Sequence, residues 1–150
     1  MILERDFQLS GKDTQTNIKL PFFIEGGCHV LKIEFHYGPG QSCDQEARDQ
    51  VREAIHKYSL TESDKDQAKI EDFLPVENFI TLSLSREGEY LGGYHNKDKD
   101  QEIVITREFA SLGFIPVDQL SGHWEVQLNC HCIASDNLQA GLRIGAHYEA

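Results

Sequence analysis

The sequence predicts an all-β fold with a minor α component: an antiparallel β-sandwich, jelly-roll or Ig-like, of about eight strands with one inserted helix. Three observations predict it. Short stretches of alternating apolar and polar residues fill most of the chain. Turn-forming residues separate these stretches at intervals typical of sandwiches. Only one segment has clear helical spacing, so most strands follow one another directly, which favours antiparallel pairing and closure into two packed sheets.

Three strands are expected before residue 40. The first covers residues 2–9, an extended segment that runs into a tight turn covers 16–27, and the third covers 29–37. The third alternates most clearly. Its apolar face consists of Leu31, Ile33, Phe35 and Tyr37, and its polar face of Lys32, Glu34 and His36.

The spacing of apolar residues then changes from that of a strand to that of a helix, and a helix is expected over about residues 43–58. Its apolar positions are Ala47, Val51, Ala54, Ile55 and Tyr58. Ser42 is placed to cap this helix, with Gln45 three residues later as its capping-box partner. A polar connector over about 59–75 follows.

Strand patterns return from residue 77. In "NFITLSLS", Ile80, Leu82 and Leu84 share one face. The stretches "EGEYLGGYH", "EIVITREF", "HWEVQLNCHCIA" and "LQAGLRIGAHY" supply the remaining strands. Because no repeat or internal linker interrupts the 150 residues, a single domain over 1–150 is expected.

The net charge and the hydropathy of the chain disfavour some classes of binding partner. The chain has 25 acidic and 14 basic residues, for a formal net charge of −11. This charge disfavours nucleic acids and anionic membranes as partners. No apolar run approaches the roughly 18 residues that cross a bilayer. We therefore expect a cytoplasmic protein whose four cysteines are free thiols.

The stretch "SGHWEVQLNCHCIAS" (121–135) concentrates one tryptophan, two cysteines and two histidines. With a strand period of two, one face is apolar if a reduced cysteine counts as a small hydrophobe. That face holds Trp124, Val126, Leu128, Cys130 and Cys132, and the other holds His123, Glu125, Gln127, Asn129 and His131. We interpret the two cysteines as core residues; a metal site that adds Cys28 is the less favoured alternative.

Other patterns give little support for catalysis or for a cofactor. Asn96, Asp98, Asp100 and Glu102 alternate as in a calcium loop, but glycine is missing and lysines intervene, which favours a solvated loop. No nucleophile, phosphate-loop or zinc-protease motif occurs. The sequence therefore predicts a non-catalytic protein with no metal site and no cofactor.

With little support for catalysis, the sequence favours a binding module. A carbohydrate- or small-ligand-binding sandwich is one form of such a module. Tyr90, Tyr94, Phe109, Phe114 and Trp124 are the aromatic candidates for a sugar-stacking platform. Trp124 is assigned to the core by its alternation, and Tyr94 is favoured for the surface because it follows Gly92 and Gly93. The candidate ligand-binding residues are Tyr94, His95 and His131.

The order of features from residue 78 onward resembles a known family. "NFITLSLSREGEYLGGYH", "EIVITREFASLGFIP" and "LSGHWEVQLNCHCI" are similar to the amino-terminal β-sandwich domain that precedes the barrel of PHP-type metal-dependent hydrolases of the CehA/McbA kind. The matching positions are Asn78, Thr81, Ser83, Gly88, Gly93, His95, Ala110, Ser111, Gly113, Phe114, Ile115, Pro116, Gly122, Trp124 and His131.

The resemblance implies an accessory, non-catalytic role beside a hydrolase domain, with that domain or a second copy of the chain as partner. One departure is Pro116-Val117-Asp118, where the family continues Pro-Gly-Pro. The metal-binding residues of such hydrolases belong to the barrel, so none carries over to these positions. A metal-dependent protein, or part of a phosphoesterase, is the remaining alternative.

Overall fold

The computed structural model of the protein describes residues 1–58, 69–94 and 98–148. These residues form one α-helix, two short 3-10 turns and ten strands. The strands are β1 (Leu3–Leu9), β2 (Thr16–Ile24), β3 (Cys28–Gly38), β4 (Gln41–Ser42), β5 (Val76–Glu77), β6 (Phe79–Arg86), β7 (Glu89–Tyr94), β8 (Asp100–Ile105), β9 (Gly122–Cys132) and β10 (Leu138–Tyr148). The helix α1 spans Gln45–Tyr58, and the 3-10 turns span Gly11–Asp13 and Ile70–Phe73.

The fold is an antiparallel β-sandwich, which confirms the predicted class. Sheet A has the order β1-β10-β3-β8 and sheet B the order β2-β9-β6-β7, while β4 and β5 form a separate two-residue ladder. Counted along the chain without that ladder, the eight long strands have the orders 1-8-3-6 and 2-7-4-5. This is the strand order of a jelly roll, in which consecutive strands alternate between the two sheets except for the central hairpin, here β6 and β7, which stays within sheet B.

The core lies between the two sheets and uses the alternation that the sequence predicts. Leu31, Ile33 and Phe35 of β3 are buried in sheet A. Ile80 and Leu82 of β6 are buried in sheet B. Because β3 and β6 lie inside their sheets, flanked by strands on both sides, their inward side chains are fully excluded from water.

The helix packs only partly. It begins at Gln45, two residues later than expected, and Ser42 accepts a hydrogen bond from the Asp44 amide, 3.0 Å away. Gln45 does not close a capping box; its side chain donates to Asp49 at 2.8 Å. Of the predicted apolar face, Ala47 and Val51 are buried, Ile55 is half-buried, and Ala54 and Tyr58 are exposed.

The predicted connector is only partly described, since residues 59–68 lie outside the described ranges. Its end forms the 3-10 turn Ile70–Phe73 and leads into β5. The turn is held to the helix by an ion pair between Arg48 and Glu71, whose nitrogen and oxygen are 3.1 Å apart. Within the described ranges, none of the helices has the length and apolarity that a bilayer span requires.

Candidate functional site

The stretch that concentrates tryptophan, histidine and cysteine is strand β9, and its apolar side faces the core as predicted. Trp124, Val126, Leu128 and Cys130 are buried, and Cys132 is half-buried at the end of the strand. Trp124 stacks on Phe22 with ring centroids 6.0 Å apart. Its indole N–H donates to the Leu120 carbonyl at 2.8 Å, so its one polar group is satisfied inside.

The thiols near this strand are poorly suited to nucleophilic chemistry. All four cysteines are free. Burial raises the pKa of Cys130 to about 11 and raises the pKa of Cys132, where the Glu46 carboxylate adds to the effect. Burial also raises the pKa of Cys28. Because the thiolate is the reactive form, these three groups are largely protonated and unreactive near neutral pH.

The opposite side of β9 belongs to a surface that we call the neutral face, the outward side of β2, β9 and β6. It consists of Asn17, Lys19, Pro21, Phe23, Phe79, Thr81, Ser83, Ser85, His123, Glu125, Gln127, Asn129 and His131. Lys19 and Glu125 have opposite charges, and the other side chains apart from the two histidines are uncharged. This composition differs sharply from that of a chain with net charge −11.

A line of side-chain hydrogen bonds orders the middle of the neutral face. The Gln127 amide donates to the Asn129 side-chain carbonyl, and the Asn129 amide donates to the Thr81 hydroxyl at 3.2 Å. That hydroxyl is also 2.8 Å from Nε2 of His131. Thr81 is only 1% exposed although it points outward. The network therefore fixes three surface side chains on a buried hydroxyl.

An aromatic pair stands at each end of the neutral face. The rings of Phe23 and His123 are 4.9 Å apart and tilted, and those of Phe79 and His131 are 4.8 Å apart and stacked. The two histidines are eight positions apart on β9, which is about 27 Å at the usual rise of an antiparallel strand. The face therefore offers apolar ring surface at both ends of a polar middle.

The outward side of sheet A is different, and we call it the charged face. Its charged, histidine and glycine positions are Glu4, Asp6, Lys32, Glu34, His36, Asp100, Glu102, Gly141, Arg143, Gly145 and His147, and its uncharged ones include Gln8, Val30, Val104 and Gln139. Five carboxylates accompany one lysine and one arginine. Arg143 pairs with Glu4 at 3.3 Å and Lys32 with Glu34 at 3.1 Å, so part of this charge is compensated locally.

The structure does not bring the three predicted ligand-binding residues together. His131 is exposed on the neutral face. Tyr94 pairs with Leu82 of β6, lies half-buried against the core, and donates its hydroxyl proton to Asp98 at 2.7 Å. His95 lies outside the described residues. A role of these residues in ligand binding stays a prediction, but Tyr94 and His131 point to opposite sides of sheet B.

The structure also places part of the predicted acidic loop and the residues of the alternative metal sites. Asn96 lies outside the described ranges, while Asp100 and Glu102 occupy outward positions of β8. Among the residues that the structure describes, no three histidine, cysteine, aspartate or glutamate side chains are grouped so that they could hold a metal ion.

Sequence reasoning did not select the residues that build the neutral face as a unit. It placed Gln127, Asn129 and His131 on one side of β9, but it did not pair them with Thr81, which is 48 residues from Asn129 in sequence. A search against models of known protein families and a search of curated proteins both find no match for this chain. The resemblance to a hydrolase accessory domain thus stays a prediction.

Proposed function

We propose that the protein is a non-catalytic binding module whose ligand is a neutral carbohydrate bound on the neutral face. One observation carries the proposal: a hydrogen-bonding sheet face with aromatic ends, whose only lysine and only carboxylate cancel in charge, stands on a chain of net charge −11. The accessory role beside a PHP-type hydrolase domain rests on the resemblance alone.

Polar groups available to a ligand support the proposal. Among the described residues, the Ser83 and Ser85 hydroxyls and the Gln127 side-chain carbonyl have no hydrogen-bond partner within the protein. Such groups match the alternating donors and acceptors of sugar hydroxyls. Since Asn129 and His131 are already fixed by Thr81, binding would immobilise few additional side chains.

The aromatic ends support the same ligand class. Phe23 and Phe79 are at least partly exposed, and each is paired with a histidine ring. The apolar faces of a pyranose ring can stack on such surfaces while its hydroxyls bond to the polar middle. A linear oligosaccharide of several units would span the distance between the two rings.

The experiment is affinity electrophoresis of the purified protein in gels that contain neutral polysaccharides, with polyanionic polysaccharides in parallel. We expect retardation by at least one neutral polymer. Gln127→Ala should weaken that retardation by about tenfold, the effect of one lost hydrogen bond in a binding site. Gln139→Ala is the matched control, because Gln139 is exposed on sheet A.

Two results would contradict the proposal. One is a mobility that no neutral polysaccharide changes. The other is retardation that Gln127→Ala and Gln139→Ala reduce equally, since the binding surface would then lie elsewhere.

A further inference from the structure

The row of hydrogen bonds on the neutral face has a direction, which a backbone carbonyl sets. Asn129 Nδ2 lies 3.5 Å from the Thr81 carbonyl oxygen and 3.2 Å from the Thr81 hydroxyl. A backbone carbonyl only accepts hydrogen bonds, so the Asn129 atom that faces it is the amide nitrogen. The Asn129 side-chain carbonyl then faces Gln127, whose amide donates to it. The reversed row, with both amides rotated by half a turn, would place two carbonyl oxygens against each other.

This direction leaves the proton of the Thr81 hydroxyl with one acceptor. The hydroxyl oxygen accepts a hydrogen bond from Asn129, and its proton needs a partner inside the protein because the group is buried. Within the described parts of the chain, the only other polar atom that the hydroxyl contacts is Nε2 of His131, 2.8 Å away. If Nε2 carried a proton, two donors would point at one oxygen, and the hydroxyl proton would be left unpaired. A buried unpaired donor is strongly disfavoured.

We infer that Thr81 holds His131 in the tautomer with its proton on Nδ1, and that this Nδ1–H is the donor that the neutral face offers a ligand beside Phe79. Which ring nitrogen carries the proton depends on the hydrogen bond that the other nitrogen makes. Here Nε2 accepts from Thr81, so Nδ1 is the donor. His131 is exposed, and among the described residues Nδ1 has no hydrogen-bond partner. Phe79 stacks on the ring with the centroids 4.8 Å apart, which helps to fix the plane of the imidazole.

The row therefore presents opposite chemistry at its two ends. Gln127 presents a carbonyl oxygen, which accepts, and His131 presents an N–H, which donates. The two residues are four positions apart on β9, about 14 Å at the usual rise of a strand. If the ligand is a carbohydrate, as proposed above, this arrangement orients it: a sugar hydroxyl donates to Gln127, and an oxygen that accepts lies beside the His131 ring. Thr81 is a positioning residue, since at 1% exposure it does not touch the ligand.

The test is a long-range proton–nitrogen correlation spectrum of the ¹⁵N-labelled chain, recorded without ligand at mildly alkaline pH, where imidazole is neutral. The spectrum distinguishes a protonated ring nitrogen from a bare one, and His131→Gln assigns the signals of His131. We expect a bare Nε2 and a protonated Nδ1, with the opposite tautomer at least about tenfold less populated. His123 is the internal control. In the described part of the chain its ring contacts Phe23 and forms no hydrogen bond, so it should show the Nε2–H tautomer that histidine prefers in water.

Two variants at position 81 separate the effect of the hydroxyl from that of the side-chain shape. Thr81→Ser keeps the hydroxyl and should keep the Nδ1–H tautomer of His131. Thr81→Val removes it and should return His131 to a mixture in which the Nε2–H tautomer dominates, while the His123 signals stay unchanged. In gels that contain the neutral polysaccharide, Thr81→Val should weaken retardation by about tenfold, and Thr81→Ser should behave as the unmodified chain does.

Failure of this inference and failure of the carbohydrate proposal give different results. A proton on Nε2 in the unmodified chain, or a tautomer that Thr81→Val does not change, overturns the inference whatever the gels show. Retardation that Thr81→Val leaves unchanged also overturns it, since the Nδ1–H would then not reach the ligand. If no neutral polysaccharide retards the chain while the tautomer is the expected one, the carbohydrate proposal fails and the assignment of the donor on His131 stands.

Discussion

The neutral face and the charged face are the two outward surfaces of one sandwich, yet their chemistry is opposite. Both sheets bury apolar side chains against the same core. Outward, the charged face of sheet A presents five carboxylates with Lys32 and Arg143, while the neutral face of sheet B presents mainly hydroxyls, amides and rings, with Lys19 and Glu125 as one pair of opposite charges. The shared core therefore does not determine which side chains the two outward surfaces carry.

A ligand that binds to either face displaces water from it, and the free-energy cost of this dehydration differs between the two faces. Ions are far more expensive to dehydrate than amides and hydroxyls, and an exposed ion pair gains little in return. A ligand that covers the charged face must overcome that cost. A neutral ligand on the neutral face exchanges hydrogen bonds to water for comparable ones to protein. Covering the neutral face therefore costs less hydration free energy than covering the charged face.

The largest expected effect is a difference in stability between alanine substitutions at one glycine of sheet B and one glycine of sheet A. Gly92 on β7 has a φ of +137°, and a Cβ there would lie 2.1 Å from the Gly113 carbonyl oxygen. Gly141 on the charged face has no such strain, and its Cβ would meet side-chain atoms only: the tip of the His36 ring at 2.6 Å and Asp6 Oδ1 at 3.4 Å. Gly92→Ala should cost about 3 kcal/mol or more, and Gly141→Ala less than about 1 kcal/mol.

Urea unfolding of the two variants checks this difference. Equal losses would mean that the edge of sheet B tolerates a shift of the 111–114 turn, and the close approach of β7 to that turn would then not be a fixed feature of the fold.

Much of the sandwich could be predicted because alternation is a local property. The inward residues of β3 and β9, from Leu31 to Tyr37 and from Trp124 to Cys130, are those that the sequence indicates. Tyr94 could not be placed in this way. The ladder between β6 and β7 shifts between Leu84 and Ser85, so Leu91 is an extra residue and Tyr94 turns toward the core. A bulge of this kind leaves no periodic signal.

The candidate surfaces were less predictable for a related reason. The link from Asn129 to Thr81 depends on the register of two distant strands, which no local pattern contains. Leu112 lies in a turn beside Gly113 after strand β8, where no periodic pattern specifies which way a side chain points. Its side chain is 90% exposed, and backbone hydrogen bonds of Ser111 and Ile115 hold the segment on its two sides to β8 and β7.

A smaller effect should come from the buried hydroxyl beneath the neutral face. Thr81→Val keeps the shape of the side chain but removes the group that joins Asn129 and His131. We expect a loss of about 1 kcal/mol in the free energy of unfolding, together with weaker carbohydrate binding. Ser83→Ala on the same strand should change stability by less than about 0.5 kcal/mol. If the two variants lose equally little stability, the network does not order this face.

The smallest expected effect is a difference between the two faces in how salt changes the stability of lysine variants. Lys32 lies 3.1 Å from Glu34 and 3.9 Å from Glu102. The hydrogen bond to Glu34, followed by the charge of Glu102, raises the pKa of Lys32 above its ordinary value of 10.5. A raised lysine pKa means that the folded state holds the proton more tightly. The stabilisation is therefore fully present below pH 10.5 and is lost as pH rises through the folded-state pKa.

Lys32→Gln should accordingly lower the urea midpoint slightly at neutral pH in low salt, and less in high salt, because exposed pairs are screened. It also leaves Glu34 opposite Glu102 with no cation between them. Lys19→Gln on the neutral face is the matched control and should show no such salt dependence. A salt response of equal size in both variants would mean that the long-range field of the acidic chain governs both lysines, and the contrast between the two faces would then not extend to their electrostatics.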